Sequence, residues 1–356
     1  MDVLKPELMW IEGRCYRINH CIDRSSDAAY VEEEYQPDYL DCDNDEPCED
    51  FEVELLEGGR FKTSFHIARA YFPCIIGSKG NTRRRLENET KTQVKVPKPG
   101  QDGDIVVIGN DRRSVCAARR RINIIVMSSR QKQSFTHFLS IPVNSRAIQQ
   151  GFLEFKEKVL ENCRGRGLDS SIFQSPEKLH LTLGTMVLAD NEERKSAAEV
   201  LHMCQEAVIE PILGSKPLRL RMCGVEYMND DPREVDVLYG KVEVTDGTQI
   251  LQDLADGVVD FFANHADGLM EKQYDSVKLH VTLMNTLFRE DKGGVSEQET
   301  SRRKHKPRES FDATEILQSF ADYNFGEEEV HSIHLSQRYT TAENGYYQAS
   351  VVLSLY

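Results

Sequence analysis

Residues 178–186 read KLHLTLGTM, and residues 278–286 read KLHVTLMNT. The hexamer Lys-Leu-His-x-Thr-Leu thus recurs once, 100 residues later, with five of six positions identical. In an extended strand, successive side chains point to opposite faces. Leu179, Leu181 and Leu183 then share one face, and Lys178, His180 and Thr182 the other. The second copy sets Leu279, Val281 and Leu283 against Lys278, His280 and Thr282. One such segment is an ordinary half-buried strand. Two point to a duplication in which each strand packs its aliphatic face on helices and offers an imidazole and a hydroxyl opposite.

Working outward, strands and helices alternate around each copy. FTHFLSIPV, KLHLTLGTMVL, LRLRMCGVEYM, EVDVLYGKVEV and the last two strands are separated by amphipathic helices. This predicts a two-lobed, duplicated α+β domain over residues 134–356. Residues 290–309 are polar and rich in breakers, which predicts an exposed insertion. Upstream, residues 51–130 read β-α-α-β-β-α. FEVELL is the first strand, SFHIARAYFPCII and NTRRRLENET are two helices around GSKG, and TQVKVP and DIVVIGN are strands. A long helix follows, with Asp111 as its N-cap. Residues 1–50 are acidic and poor in aliphatics apart from LMWIEGRCYRI, which predicts a largely disordered segment that docks a partner.

The formal net charge of −15 conceals a reversal. Residues 1–59 carry 4 basic and 18 acidic side chains, whereas residues 60–132 carry 17 basic and 5 acidic. A basic module in an acidic chain suits a phosphate-bearing ligand. No apolar run is long enough to span a bilayer, and the first residues do not read as a secretory signal. Nine cysteines without a CxxC pair predict reduced thiols.

Two His-x-Thr strands side by side would set two imidazoles before one phosphate. Ordinary imidazoles titrate near neutrality, so one can accept a proton while the other donates. Thr182 and Thr282 can donate to phosphate oxygens, and Lys178 or Lys278 can add charge. Near-identical copies leave open which imidazole is the base. No carboxylate cluster or His-x-His pair argues for a metal, so no metal and no cofactor are expected. In the basic module, Gly77-Ser78-Lys79-Gly80 lies between two helices. There Gly77 can end the first helix and Gly80 lets a backbone approach, while the N–H groups and Lys79 face an anion.

The GxxG turn inside β-α-α-β-β-α resembles a type I KH domain. That resemblance implies a clamp on single-stranded RNA, or single-stranded DNA, through Gly77, Ser78, Lys79 and Gly80. The family's usual apolar residue is replaced by Arg83, followed by Arg84, which favours phosphate contact over base reading. The paired H-x-[ST] motifs, His180/Thr182 and His280/Thr282, resemble the two-histidine phosphoesterase superfamily (LigT-like, 2′-5′ RNA ligase-like). That likeness implies metal-independent chemistry on 2′,3′-cyclic or 2′-5′ phosphodiesters at RNA ends. A KH domain joined to such a domain is similar to a subunit family of a helicase-containing complex. The similarity implies a nuclear protein, present in the cytoplasm as well, serving transcription coactivation and alkylation repair beside a helicase subunit, with no membrane partner. The alternative is a scaffold that binds RNA in the same pocket without turnover.

Overall fold

The computed structural model describes residues 8–11, 14–17, 51–98, 101, 103–214, 216–266, 268–270, 275–291 and 308–355. They belong to two compact units, Met1–Pro47 and Cys48–Tyr356. In the first unit, β1 (Leu8–Ile11) and β2 (Arg14–Arg17) form an antiparallel pair with Trp10 opposite Cys15. The remainder of the expected docking segment, 1–50, lies outside the described residues.

The second unit contains two hydrophobic cores. The smaller is built from β3 (Glu54–Leu55), β4 (Phe61–Phe65), α1 (Phe72–Ile76), α2 (Asn81–Thr90), β5 (Thr92–Lys95), β6 (Ile105–Gly109) and α3 (Arg112–Gln131). Its sheet runs β3-β4-β6-β5, and its core is filled by Tyr71, Ile75, Leu86, Ile105, Val107 and Ile122, among others. Leaving aside the short edge strand β3, the order is the expected β-α-α-β-β-α. Asp111 caps α3, accepting from the Ser114 amide at 2.8 Å. Two boundaries differ from the sequence pattern. FEVELL provides only the two exposed residues of β3, because the alternation that buries Thr63 and Phe65 belongs to FKTSF. SFHIARAYFPCII is likewise not one helix. Its first residues finish β4, a 3₁₀ turn spans Arg69–Tyr71, and α1 begins with Pro73 in its first turn, where a missing N–H is tolerated.

The larger core carries β7 (His137–Pro142), α4 (Arg146–Asn162), β8 (His180–Met186), α5 (Asn191–Cys204), α6 (Glu210–Leu213), β9 (Arg219–Tyr227), β10 (Val237–Val244), α7 (Ile250–His265), β11 (Val281–Asn285), α8 (Phe288–Asp291), α9 (Thr314–Phe320), β12 (Asn324–Glu329), β13 (Ser332–Thr341) and β14 (Tyr347–Ser354). Between α5 and α6 the helix widens into a π turn at Gln205–Ile209, just ahead of Pro211, which cannot donate to the regular ladder. The eight strands form one antiparallel sheet, β12-β9-β10-β11-β8-β7-β13-β14. Leu179, Leu181, Val281 and Leu283 are fully buried, as the strand alternation requires.

The duplicated strands β8 and β11 sit at the centre of the sheet. The lobes, however, are not consecutive in sequence. β9–β12 form one side, whereas β7 and β8 are completed by β13 and β14 from the end of the chain. The strand NFGEEE was not legible as β12, since three glutamates read as a solvated run. Glu329 and Glu327 are in fact paired across the ladder with Arg219 (3.3 Å) and Arg221 (2.9 Å). Of the expected insertion 290–309, residues 292–307 lie outside the described residues.

A polar junction ties the two cores together. Arg130, near the end of α3, is 9% exposed and donates to both carboxylate oxygens of Glu193, at 3.1 and 2.6 Å, and to the Val187 carbonyl. Its guanidinium lies 5.0 Å from the centre of the Tyr71 ring. Nearby, His66 Nε2 meets Asp190 Oδ2 at 2.8 Å. Glu193 and Asp190 lie just beyond β8, so this junction holds the end of the histidine-bearing strand.

Candidate phosphoesterase site and nucleic-acid turn

Val281 pairs with Leu181 in an antiparallel register. One residue to either side, His180 falls opposite Thr282 and Thr182 opposite His280. All four groups project from the face away from the buried leucines and are half-buried. The repeat is thereby folded back on itself around a local two-fold.

Both imidazoles are held in the same way. His180 Nδ1 lies 2.7 Å from the Lys178 carbonyl, and His280 Nδ1 lies 2.6 Å from the Lys278 carbonyl. A carbonyl only accepts, so Nδ1 carries the proton and donates it. In each neutral ring Nε2 therefore keeps an unprotonated lone pair. Burial pushes His180 down to about 4, opposed by its bond to Lys178 and reinforced by the charge of His280. Burial also lowers His280, opposed by the Lys278 carbonyl and reinforced by the Lys278 ammonium. Both rings are neutral at pH 7 in the free protein.

The sequence reading missed the walls of the site. His180 stands 5.3 Å from Tyr347 and 5.1 Å from Phe138, and His280 stands 5.4 Å from Tyr239. Lys178 Nζ lies 5.0 Å over Tyr347, and Lys278 Nζ lies 5.0 Å over Tyr239. Each half thus has a Lys–Tyr–His stack. Tyr239 comes from β10 and Tyr347 from β14, so this likeness is not carried by the repeated hexamer. The Tyr346-Tyr347 doublet that opens the last strand was the available signal. Lys178 is also engaged with Thr341 Oγ1 at 2.9 Å, which draws its ammonium toward the β13–β14 hairpin, whereas Lys278 is exposed. Beneath, the buried Tyr346 donates to Ser140 Oγ at 3.0 Å, and Ser140 meets Ser336 at 3.0 Å.

The GSKG turn joins α1 to α2. Gly77 ends α1 with φ 70°, Ser78 and Lys79 are exposed, and Gly80 precedes α2 with φ 79°. A Cβ on Gly77 would lie 2.1 Å from Thr82 Oγ1, so this glycine fits α2 tightly against the turn, whereas Gly80 opens onto free space. Lys79 holds φ 51°, a left-handed conformation uncommon for a side-chain-bearing residue. Arg84 is exposed. Arg83 is half-buried, with Nε 3.9 Å from Glu87, and Glu87 accepts the Val94 amide at 2.9 Å. Arg119, on the same helix as other basic residues, lies over Phe51 and Phe65 at 4.3 and 4.6 Å and serves packing. Among the described residues no cluster of three metal-ligating side chains occurs, and no helix is long and apolar enough to cross a membrane.

Residues 135–355 match the AKAP7 2′5′ RNA ligase-like domain, and residues 62–124 match the KH domain. The chain is 42% identical to activating signal cointegrator 1 complex subunit 1 of Mus musculus, over 352 residues and 98% of each chain. It is also similar to the crystal structure of TT0787 of Thermus thermophilus, with 17% identity and a TM-score of 0.38. That match covers 62% of this chain and 97% of the other, and the likeness is too loose to bear on function.

Proposed function

From a chain that belongs to the family of activating signal cointegrator 1 complex subunit 1, we propose an RNA-binding subunit whose second domain hydrolyses phosphodiesters at RNA ends without a metal. The observation that carries this reading is the antiparallel pairing of the two His-x-Thr strands, each imidazole holding a carbonyl through Nδ1 and so keeping an unprotonated Nε2 when neutral. His180, the ring with the strong downward displacement, is neutral and takes the proton from water or a ribose hydroxyl. His280 takes up a proton as the phosphate binds and gives it to the leaving oxygen. Thr182 and Thr282 donate to the non-bridging oxygens, and Lys278 adds charge at the rim.

The test is incubation with short RNAs ending in 2′,3′-cyclic phosphate, or containing one 2′-5′ linkage, with a chelator present. Metal-independent cleavage is expected, and its absence on every substrate would sink the reading. The pH dependence is specific. Activity should fall on the acid side as His180 gains a proton near 4. It should fall on the alkaline side as His280 loses one, below the ordinary imidazole value of 6.5. The kcat/KM profile should therefore peak between these limits. A maximum above pH 7 would contradict the assignment of acid and base.

One observation favours binding without turnover. Burial leaves neither imidazole cationic at neutral pH before ligand arrives. The cleavage assay decides between the two.

For the first domain, we propose that Gly77–Gly80 and Arg84 hold the backbone of single-stranded RNA. Replacing Ser78 and Lys79 by Asp should weaken single-stranded RNA binding by about tenfold or more, equivalent to about 1.4 kcal/mol, read by fluorescence anisotropy. Unchanged affinity would remove the clamp. We also propose that the protein is a nuclear subunit that meets a helicase through residues 1–50. Deleting 1–50 should release the helicase in co-purification while RNA binding persists. Retention of the helicase would move the interface elsewhere.

A further inference from the structure

The β7–β8 ladder contains a bulge whose effect reaches the junction of the two cores. Leu139 pairs with Gly184 but Ser140 pairs with Thr182, so β8 holds one extra residue. A Cβ on Gly184 would meet Met270 and Val259, on the helix side of the sheet. Thr185, the next residue, therefore faces the same way as His180 and Thr182. Its partner across the ladder is Phe138, the ring 5.1 Å from His180.

From there a line of planar groups continues along the face. Phe135 lies 6.3 Å from Phe138, and the Arg338 guanidinium lies 4.1 Å over Phe135. Beyond them is a cavity of about 270 Å³, bounded by Arg130, Gln133, Ser134, Phe135, Thr185 and Arg338. Met127 and Leu269 give it an apolar floor. Arg130 is only 9% exposed, and its Nε–H is buried without an acceptor. Its other nitrogens are committed to Glu193 and Val187. That nitrogen has no surface on the cavity, so Arg130 forms part of its wall and Arg338, half-buried, is the cation a ligand can reach.

The contents of the cavity wall match one chemistry. A guanidinium stacked on a phenyl ring is a flat, cationic surface that accepts any base face. The Ser134 hydroxyl and Gln133 amide can pair with a base edge. Five residues of strand separate His180 from Thr185, about 16 Å at ~3.3 Å per residue, the reach of a few nucleotides of single strand. We infer that this junction cavity is a nucleobase subsite for the RNA strand whose end lies at His180 and His280. The preferred substrate is then the end of an oligonucleotide and not a free cyclic mononucleotide. This inference rests on the RNA-end reading of the histidine cleft.

The test uses the full chain carrying Lys79→Asp, so that the turn does not contribute to length dependence. RNAs with a 3′-phosphate, from one to about six nucleotides, are titrated by calorimetry. Affinity should rise about tenfold or more with length. Ser134→Trp, which fills the cavity, should cancel that rise and leave the mononucleotide unaffected. Arg338→Gln, a milder change that keeps the fold, should cancel most of it. A length dependence that survives both variants overturns the subsite. Length-dependent binding without cleavage of any RNA overturns the phosphodiesterase reading and supports the subsite. Failure of every RNA to bind overturns both.

Discussion

Replacing His180 or His280 by alanine should each lower kcat/KM for RNA ending in a 2′,3′-cyclic phosphate by about 10²–10⁴-fold. The single losses should not add in the double variant, because acid and base serve one displacement. Each ring donates Nδ1–H to the carbonyl two residues earlier, at 2.7 and 2.6 Å, so either change removes a correctly oriented Nε2 and not bulk packing alone. Thr182→Val and Thr282→Val should cost less, since each removes one donor to a phosphate oxygen. Steady-state kinetics with circular dichroism as a folding control decides the matter. Full activity in either histidine variant would exclude paired acid and base catalysis.

Replacing Arg130 by Met should produce the largest loss of stability outside the apolar cores, about 3–5 kcal/mol. The change would leave the Glu193 carboxylate, 7% exposed, with the Ala189 amide at 2.6 Å and no cation. Adding Glu193→Leu should recover much of the loss, because an uncompensated buried charge costs more than an apolar pair. Chemical denaturation of both single variants and the double variant measures the coupling. If Arg130→Met alone were neutral, the pair would be a surface contact in effect, and the junction would be held by its apolar residues.

The repeated hexamer made the two central strands of the sheet legible in the sequence. Five identities fixed which side chains are buried and which face the cleft, and β8 and β11 follow that alternation. GSKG was legible because positive φ selects glycine. The site's walls were not legible. Tyr239 and Tyr347 come from strands that only the sheet order brings beside the histidines. FKTSF and NFGEEE were also missed, and for one reason. Their outward faces are polar, and the partners that make them strands lie far away in sequence, as Arg221 does for Glu327. Lys178 shows the converse limit. Its spacing pointed to phosphate, yet Thr341 and the Tyr347 ring also claim its ammonium.

Because β13 and β14 close the sheet beside β7, the first histidine is finished by strands synthesised long after it, at residues 332–341 and 347–354. On the ribosome, β8 emerges long before Tyr346 and Tyr347, and the edge of β7 stays open meanwhile. A message cut short before Tyr347 could still encode the GSKG module and both repeated strands. It would nevertheless yield a protein with half a pocket and, with β14 gone, an unpaired β13 edge. Folding of the second domain is thus conditional on translation reaching Tyr347, and truncations before it should behave as loss of that whole domain.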